Sequence, residues 1–356
     1  MRAALLALVL VTAGSAPAWA ADPAVTDVCT ITDRSLEELS GLASSGDEWF
    51  AVNDSDNGQV EVQVLDRSCT VTRTITAPAN PYDVEDLALA GDGTLWLADT
   101  GDNGKTRDTI ALHTISPTGE SALYRLTYPD GRHDAEALLL DRAGVPHVVT
   151  KEPIGSALVY RPVGPLNPGA PTPLEQVGRV SLRTTDTPGG PLESTVVTRL
   201  VTGGAMSHDG RVAALRTYTD AYLFPVPDGD LAKALQSDPV RVPLPNEPQG
   251  EAIAFDPDGT LLSASEFATA ATTSTVRAVA GAATLAAPPA PTTTPPPTNG
   301  DDRGGDGKSG DGKSGDQAAS GQGSDDGGPP LWPVIAGAAV VLGLVWLGVR
   351  RSRRRP

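Results

Sequence analysis

The chain has 356 residues, with 44 acidic against 27 basic side chains and a formal charge of −17. Setting aside Arg2, the five arginines of the C-terminal tail and the net four negative charges of residues 281–330 leaves about −19 on the central part, which excludes a nucleic-acid-binding face and favours cations as partners. Four histidines with no H-x-x-x-H or H-E-x-x-H spacing argue against a zinc centre, and the absence of G-x-S-x-G argues against a serine nucleophile.

Residues 1–20 read as a secretory signal, with Arg2 as the positive start, Ala4 to Val11 as the apolar stretch and Ala18-Trp-Ala20 as the cleavage site. Two cysteines in an exported chain predict a Cys29–Cys69 disulfide that ties the N-terminal strand to the first repeat.

From residue 21 to 285 the pattern is that of strands. An acidic residue precedes a short apolar run at Glu38-Leu-Ser-Gly-Leu, Glu85-Asp-Leu-Ala-Leu, Glu136-Ala-Leu-Leu-Leu and Glu251-Ala-Ile-Ala-Phe, with a degenerate copy at Thr202-Gly-Gly-Ala-Met. Each start is followed by a turn and a second apolar strand that ends on polar residues: Asn53-Asp54, Asp99-Thr100, Thr150-Lys151, Arg216-Thr217 and Ser265-Glu266. Asp-Gly pairs at 92–93, 130–131, 209–210 and 258–259 supply hairpin turns. Long amphipathic helices are absent, and 232–237 has room for one helical turn.

Successive starts are 47, 51, 66 and 49 residues apart. Strand repeats at this period predict an all-β fold, a β-propeller. Five blades fit the visible starts. Six shorter ones fit if the Pro/Gly-rich stretches 161–175 and 186–191 hide a start, and a pair of β-sandwiches is the plainer alternative.

Residues 286–330 are rich first in Pro and Thr, then in Gly, Asp, Lys and Ser, and predict an extended linker with nothing to bury. Residues 331–349 carry no charge, and at 1.5 Å per residue they are long enough to cross a bilayer. The basic tail 350–356 then marks the cytoplasmic side. The expectation is a monomeric extracellular propeller held at the cell membrane by one C-terminal transmembrane helix.

A propeller brings equivalent points of its blades to one axis, so the repeat also predicts a polar site. Its expected ligand-binding set is Glu38, Asp54, Glu85, Asp99, Glu136, Lys151, Arg216, Glu251 and Glu266, with Asp86 near them. Like charges brought together must share protons, meet Lys or Arg, or bind a cation. Glu85, Asp99, Glu136 and Glu251 are the expected metal ligands, and all-oxygen donors point to calcium. Three readings stay open at this stage. The carboxylates seal the channel by pairing with Lys151 and Arg216. They hold a cation that with Lys151 and Arg216 grips an anionic ligand. Or the metal activates water for phosphoester hydrolysis, with Lys151, Arg216 and His133 as catalytic candidates. A non-catalytic adhesion or scaffold module binding a cell-wall polymer or a protein is the alternative of a different class. The loops 54–58 and 99–104 suit turns or ligand contacts, with Arg107 either a clamp on the second or a solvated side chain.

Several motifs together resemble a known group. They are Asp83-Val-Glu-Asp-Leu-Ala, Ala98-Asp-Thr-Gly-Asp-Asn, Tyr128-Pro-Asp-Gly-Arg-His-Asp-Ala-Glu-Ala, Val149-Thr-Lys, Val201-Thr-Gly-Gly-Ala-Met-Ser-His-Asp-Gly, Leu215-Arg-Thr-Tyr, Gln249-Gly-Glu-Ala-Ile and Ser265-Glu. Over residues 36–267 their order resembles uncharacterised exported bacterial β-propellers of the phytase-like and esterase-like kind, with Val84 standing where an aromatic residue is expected. The resemblance implies the fold; it does not fix the chemistry.

Overall fold

A computed structural model describes residues 22–54, 58–267 and 272–286. The signal segment, most of the linker, the apolar segment 331–349 and the basic tail lie outside the described residues, as does most of the loop 54–58. Among the described residues no helix is long and apolar enough to cross a membrane.

The chain opens with β1 (Thr26–Ile31) and then builds four-stranded antiparallel units. Unit one is β2 (Leu39–Ser44), β3 (Trp49–Asn53), β4 (Val60–Leu65) and β5 (Val71–Ala77). Unit two is β6 (Val84–Leu89), β7 (Leu95–Asp99), β8 (Ile110–Ile115) and β9 (Ser121–Thr127). Unit three is β10 (Ala135–Leu140), β11 (Pro146–Thr150), β12 (Ala157–Pro162) and β13 (Thr172–Val180), joined at its edge to β9 by the short parallel pairing Thr172↔Leu126. Unit four is β14 (Val201–Met206), β15 (Val212–Thr217), β16 (Asp220–Pro225) and β17 (Val240–Pro243). Unit five is β18 (Gly250–Phe255), β19 (Leu261–Ser265) and β20 (Ser274–Val279), completed by β1. The first strands touch in the cycle β2, β6, β10, β14, β18 and back to β2, so the units are the blades of a closed β-propeller.

Packing follows from that ring. Each apolar core sits between the faces of two neighbouring blades. Val52 and Val62 of blade one meet Leu87 and Leu97 of blade two, and Leu42 and Trp49 of blade one meet Ala252 and Leu262 of blade five. Val84 lies in the first of these cores, so its side chain is spent on packing. The innermost strands must approach closely, which explains the degenerate Thr202-Gly203-Gly204 repeat. A Cβ on Gly203 would collide with the Glu251 carbonyl of blade five, and one on Gly41 would lie 2.5 Å from the Leu87 backbone nitrogen of blade two. Glycine loses helical and strand propensity but alone permits that approach.

The long interval between the third and fourth starts hides no further blade. Residues 161–175 run from β12 into β13, and the stretch 186–191 is coil, with Gly190 donating to the Glu247 carbonyl and Asn246 to the Pro188 carbonyl. The short helix lies at α1 (Leu231–Ala234), capped by the Asp230 side chain on the Lys233 amide.

Ring closure takes two devices. β1 pairs antiparallel with β20 (Thr30↔Thr275), so the N-terminal strand becomes the outer strand of the last blade. The disulfide Cys29–Cys69 then links that strand to the β4–β5 turn of blade one, across the seam where the ring closes. The chain leaves through α2 (Ala282–Ala286), whose Ala283 amide donates to Gly259 in the β18–β19 turn. That turn lies on the face opposite the acidic strand starts, and on this face the axis opens into a funnel of about 640 Å³ lined by Leu42, Leu87, Leu138, Met206 and Phe255.

Candidate functional site: an acidic mouth on the propeller axis

Each innermost strand carries a bulge near its start, at Leu39/Gly41, Val84/Asp86, Ala135/Ala137, Val201/Gly203 and Gly250/Ala252. A bulge leaves one residue without a cross-strand partner and re-aims it. Here those residues are Ser40, Glu85, Glu136, Thr202 and Glu251, and every one is buried. Glu85, Glu136 and Glu251 thus stand at equivalent positions, as the repeat predicted. Blade one is a correction: Ser40 stands there, not Glu38. The Ser40 hydroxyl donates to the Glu85 carbonyl at 2.8 Å and lies 3.5 Å from a carboxylate oxygen of both Glu85 and Glu251.

Glu38 belongs to a second tier, two residues earlier. By the strand register its counterparts are Asp83, Asp134, Leu200 and Gln249. A third tier comes from the ends of the second strands: Asp54, Thr100, Lys151, Tyr218 and Glu266. The mouth is therefore built from three tiers, and the acidic members come mostly from blades one, two, three and five.

Glu85, Asp134 and Glu136 each offer an oxygen within 4.8 Å of the others, and all three residues are buried. Asp134 was not among the residues expected at the site. Its signal in the sequence is the spacing Asp83-Val-Glu85, Asp134-Ala-Glu136 and Gln249-Gly-Glu251, two polar tiers written as a polar residue, any residue and Glu. Glu38 is the acidic residue nearest its apolar run, yet the bulge places Ser40 in the first tier and Glu38 in the second.

The electrostatics are those of crowded carboxylates. Burial, and then the charges of Glu136, Asp83 and Asp134, push the Glu85 carboxyl well above the ordinary range. Burial also raises Asp134, against the pull of Lys151. Glu136 is pushed well up by burial, although Lys151 opposes this from 2.5 Å, and its second oxygen has no hydrogen-bond partner among the described residues. Glu251 is raised by burial, and Glu266, half-buried beside it, is raised well by burial and by the charges of Glu251 and Asp54. Lys151 responds in the opposite sense: burial opposes its charge, yet Glu136 and its other neighbours hold the ammonium well above the usual lysine value. Its Nζ also sits 5.0 Å from the centre of the Tyr218 ring.

Other residues expected at the site are engaged elsewhere. Asp99 accepts from the Tyr82 and Asp83 amides at 3.1 and 3.0 Å, pairs with Arg107 at 2.9 Å and lies 3.1 Å from His113. Burial would raise its carboxyl, but His113 and Arg107 outweigh burial and lower it. It positions the backbone beside Glu85 and lies outside the triad. Arg216 is fully buried and ion-paired with Glu247, which also accepts from Ser263 at 2.6 Å. It therefore faces a structural partner, Glu247, that the repeat does not mark. His133 lies between Asp130 and Glu152, at 3.2 and 3.3 Å, with Tyr160 at 3.2 Å from the same ring nitrogen as Asp130. Asp86 is a pin in the core and accepts three backbone amides: Leu87 at 2.8 Å, Leu138 at 2.7 Å and Gly204 at 3.0 Å.

The 99–107 loop is a turn that buttresses the mouth. Asp102 accepts the Thr106 and Arg107 amides at 2.7 and 2.9 Å, while its own amide donates to Asp134 at 2.7 Å. Arg107 donates to the Gly101 carbonyl at 2.8 Å, so it clamps the loop as expected. Gly101 is required there because a side chain would strike the Glu85 and Asp83 carboxylates.

No family model matches the chain. No curated protein matches it. Among solved structures it is distantly similar to β-propellers. A luciferin-regenerating enzyme is 11% identical at a TM-score of 0.44, covering 73% of this chain and 96% of its own. A virginiamycin B lyase from Staphylococcus aureus is 10% identical at a TM-score of 0.36, covering 71% and 73%. A PQQ-bound aldose sugar dehydrogenase from Streptomyces coelicolor is 11% identical at a TM-score of 0.38, covering 73% and 99%. By its own ring of strands the chain is an all-β propeller, and it carries a buried acidic triad that could hold a metal.

Proposed function

We propose that this protein is a membrane-anchored extracellular β-propeller whose axial mouth binds a divalent cation, calcium, and presents it to an anionic ligand. The observation that carries the reading is the triad Glu85, Asp134 and Glu136, with buried oxygens within 4.8 Å of one another. Buried carboxylates at this spacing repel unless protonated or bridged by a cation. The donors are all oxygen, and Glu251 stands close enough to raise Glu136 further, which suits a hard cation. Both ends of the described propeller chain lie on the face opposite the mouth, so the chain continues from Ala286 without crossing it.

Thermal melts of the full-length protein with Ca²⁺ and with EDTA test the reading. A ligand bound only by the native state at 100 times its Kd adds roughly 2.7 kcal/mol, worth roughly 5–10 °C for a domain of this size. The shift should vanish in Glu85→Gln. No shift and no bound metal would return the carboxylates to a structural role. The catalytic form of the proposal is phosphoester hydrolysis at the cation, with Lys151 beside it. It fails if phosphate release from a panel of esters is insensitive to chelation and to Lys151→Ala.

A further inference from the structure

We infer that Lys151 stands in the cation's place in the metal-free protein, and that an arriving metal displaces it to create the binding site for an oxyanion. The inference rests on the reading of the mouth as a cation site.

Lys151 Nζ lies 2.5 Å from Glu136 Oε1, and Glu136 is one of the triad. A calcium ion bound to that carboxylate would sit about 2.3–2.6 Å from its oxygens. Two cations on one carboxylate at such distances repel strongly in a buried site, so the metal and the ammonium compete. The second Glu136 oxygen, buried and without a partner among the described residues, is the half of the carboxylate that Lys151 leaves unused. In this geometry the ammonium meets one Glu136 oxygen and leaves the other for a cation bridging the triad.

The displaced side chain has a resting place. The face of Tyr218 already lies 5.0 Å from Nζ, and Lys151 sits at the end of β11, in the tier nearest the opening, with its side chain 10% exposed. Released from Glu136, the ammonium stays over the ring and faces the bound metal. Metal and ammonium together then present positive charge to one ligand, and a phosphate-type oxyanion matches that geometry of a hard cation beside a point-charge donor. Arg216 is fully buried and paired with Glu247, so Lys151, with its side chain 10% exposed, is the better placed of the two. Cation and anion should therefore bind cooperatively, through one side chain that changes partner.

The test is calorimetric titration of the full-length protein with Ca²⁺, with and without inorganic phosphate, in wild type and in Lys151→Met. Removing the competing ammonium should raise Ca²⁺ affinity about tenfold, within the usual range of such couplings. In wild type, Ca²⁺ and phosphate should raise each other's affinity by the same factor, as linkage requires. In Lys151→Met that factor should fall several-fold, leaving only the part that direct contact between the metal and phosphate supplies. Equal Ca²⁺ affinity in the two proteins, or a phosphate effect undiminished in Lys151→Met, overturns the displacement while leaving the cation site standing. Absence of Ca²⁺ binding from both overturns the cation site and the displacement together. If Lys151→Met does not fold, wild type alone decides. Acylation of Lys151, followed by mass spectrometry, should become several-fold faster when Ca²⁺ is added, because burial and pairing shield an amine from reagent. Protection by Ca²⁺, or no change, refutes the exchange.

Discussion

Asp86 offers the sharpest test of how the propeller supports its axial site. Its carboxylate is fully buried, and it receives amides from three blades: Leu87 in its own strand β6, Leu138 in β10 and Gly204 in β14. Two of these meet one oxygen, Oδ2, at 2.7 and 3.0 Å, and the third meets Oδ1 at 2.8 Å. Burial pushes the carboxyl well above its usual range, while the three amides pull it down. Truncation to alanine would leave three buried amides without acceptors. Each such group costs about 1–3 kcal/mol, so Asp86→Ala should lose at least ~3 kcal/mol. That is a large part of the roughly 5–15 kcal/mol typical of a folded domain. Asp86→Asn can keep the two Oδ2 bonds through its carbonyl oxygen, and it turns its amide against only the Leu87 N–H, so its loss should be smaller, about 1–3 kcal/mol. Urea unfolding followed by tryptophan fluorescence would measure both, comparing midpoints at a common m-value. If alanine costs under about 1 kcal/mol, or if asparagine costs as much as alanine, the three-blade pin does not hold the ring in the way the geometry implies.

Three further outcomes follow from the same structure. The Cys29–Cys69 bridge closes a loop of sequence separation 40, so the double serine variant should lose about 4 kcal/mol in the chain-entropy model, read as a lower urea midpoint; a loss below about 1 kcal/mol would mean that β1 docks without the clamp. The raised carboxyls of Glu85, Asp134, Glu136, Glu251 and Glu266 bind protons more readily in the native than in the unfolded chain. Their contribution to metal-free stability is therefore full below the unfolded carboxylate range and declines as the pH rises through their native values. Chelated protein should gain stability from these groups on acidification from neutral pH towards pH 5, a gain reduced in Glu85→Gln. The Ca²⁺ increment in melting temperature should shrink over the same interval, because protons then compete for the ligands. An increment that grows on acidification would contradict this.

The strand repeat was legible because it is local. Alternation, Asp-Gly turns and the recurring acidic start lie within a few residues of one another, and they predicted blades, turns and the equivalence of Glu85, Glu136 and Glu251. The cysteine pair followed from count and compartment, while the blade it joins to blade one did not. β1 crosses the whole sequence to pair with β20, and only ring closure decides that.

The tiers were less legible for a physical reason. A bulge adds one residue to a strand and re-aims the side chain there, and a shift of register changes the face on which each residue falls. Linear spacing therefore could not separate Glu38 from Ser40, although Asp134 was written beside Glu136 in the same two-residue pattern as Asp83 beside Glu85. Partner choice was less legible still. Arg216 and Lys151 both end second strands, yet Glu247, in the coil before β18, captures the first and Glu136 holds the second. The sequence by itself determined which residues are acidic, which segments are strands and that the strands repeat. The tertiary structure alone decided which of those carboxylates meet, because their oxygens come from blades about fifty residues apart and converge only when the ring is closed.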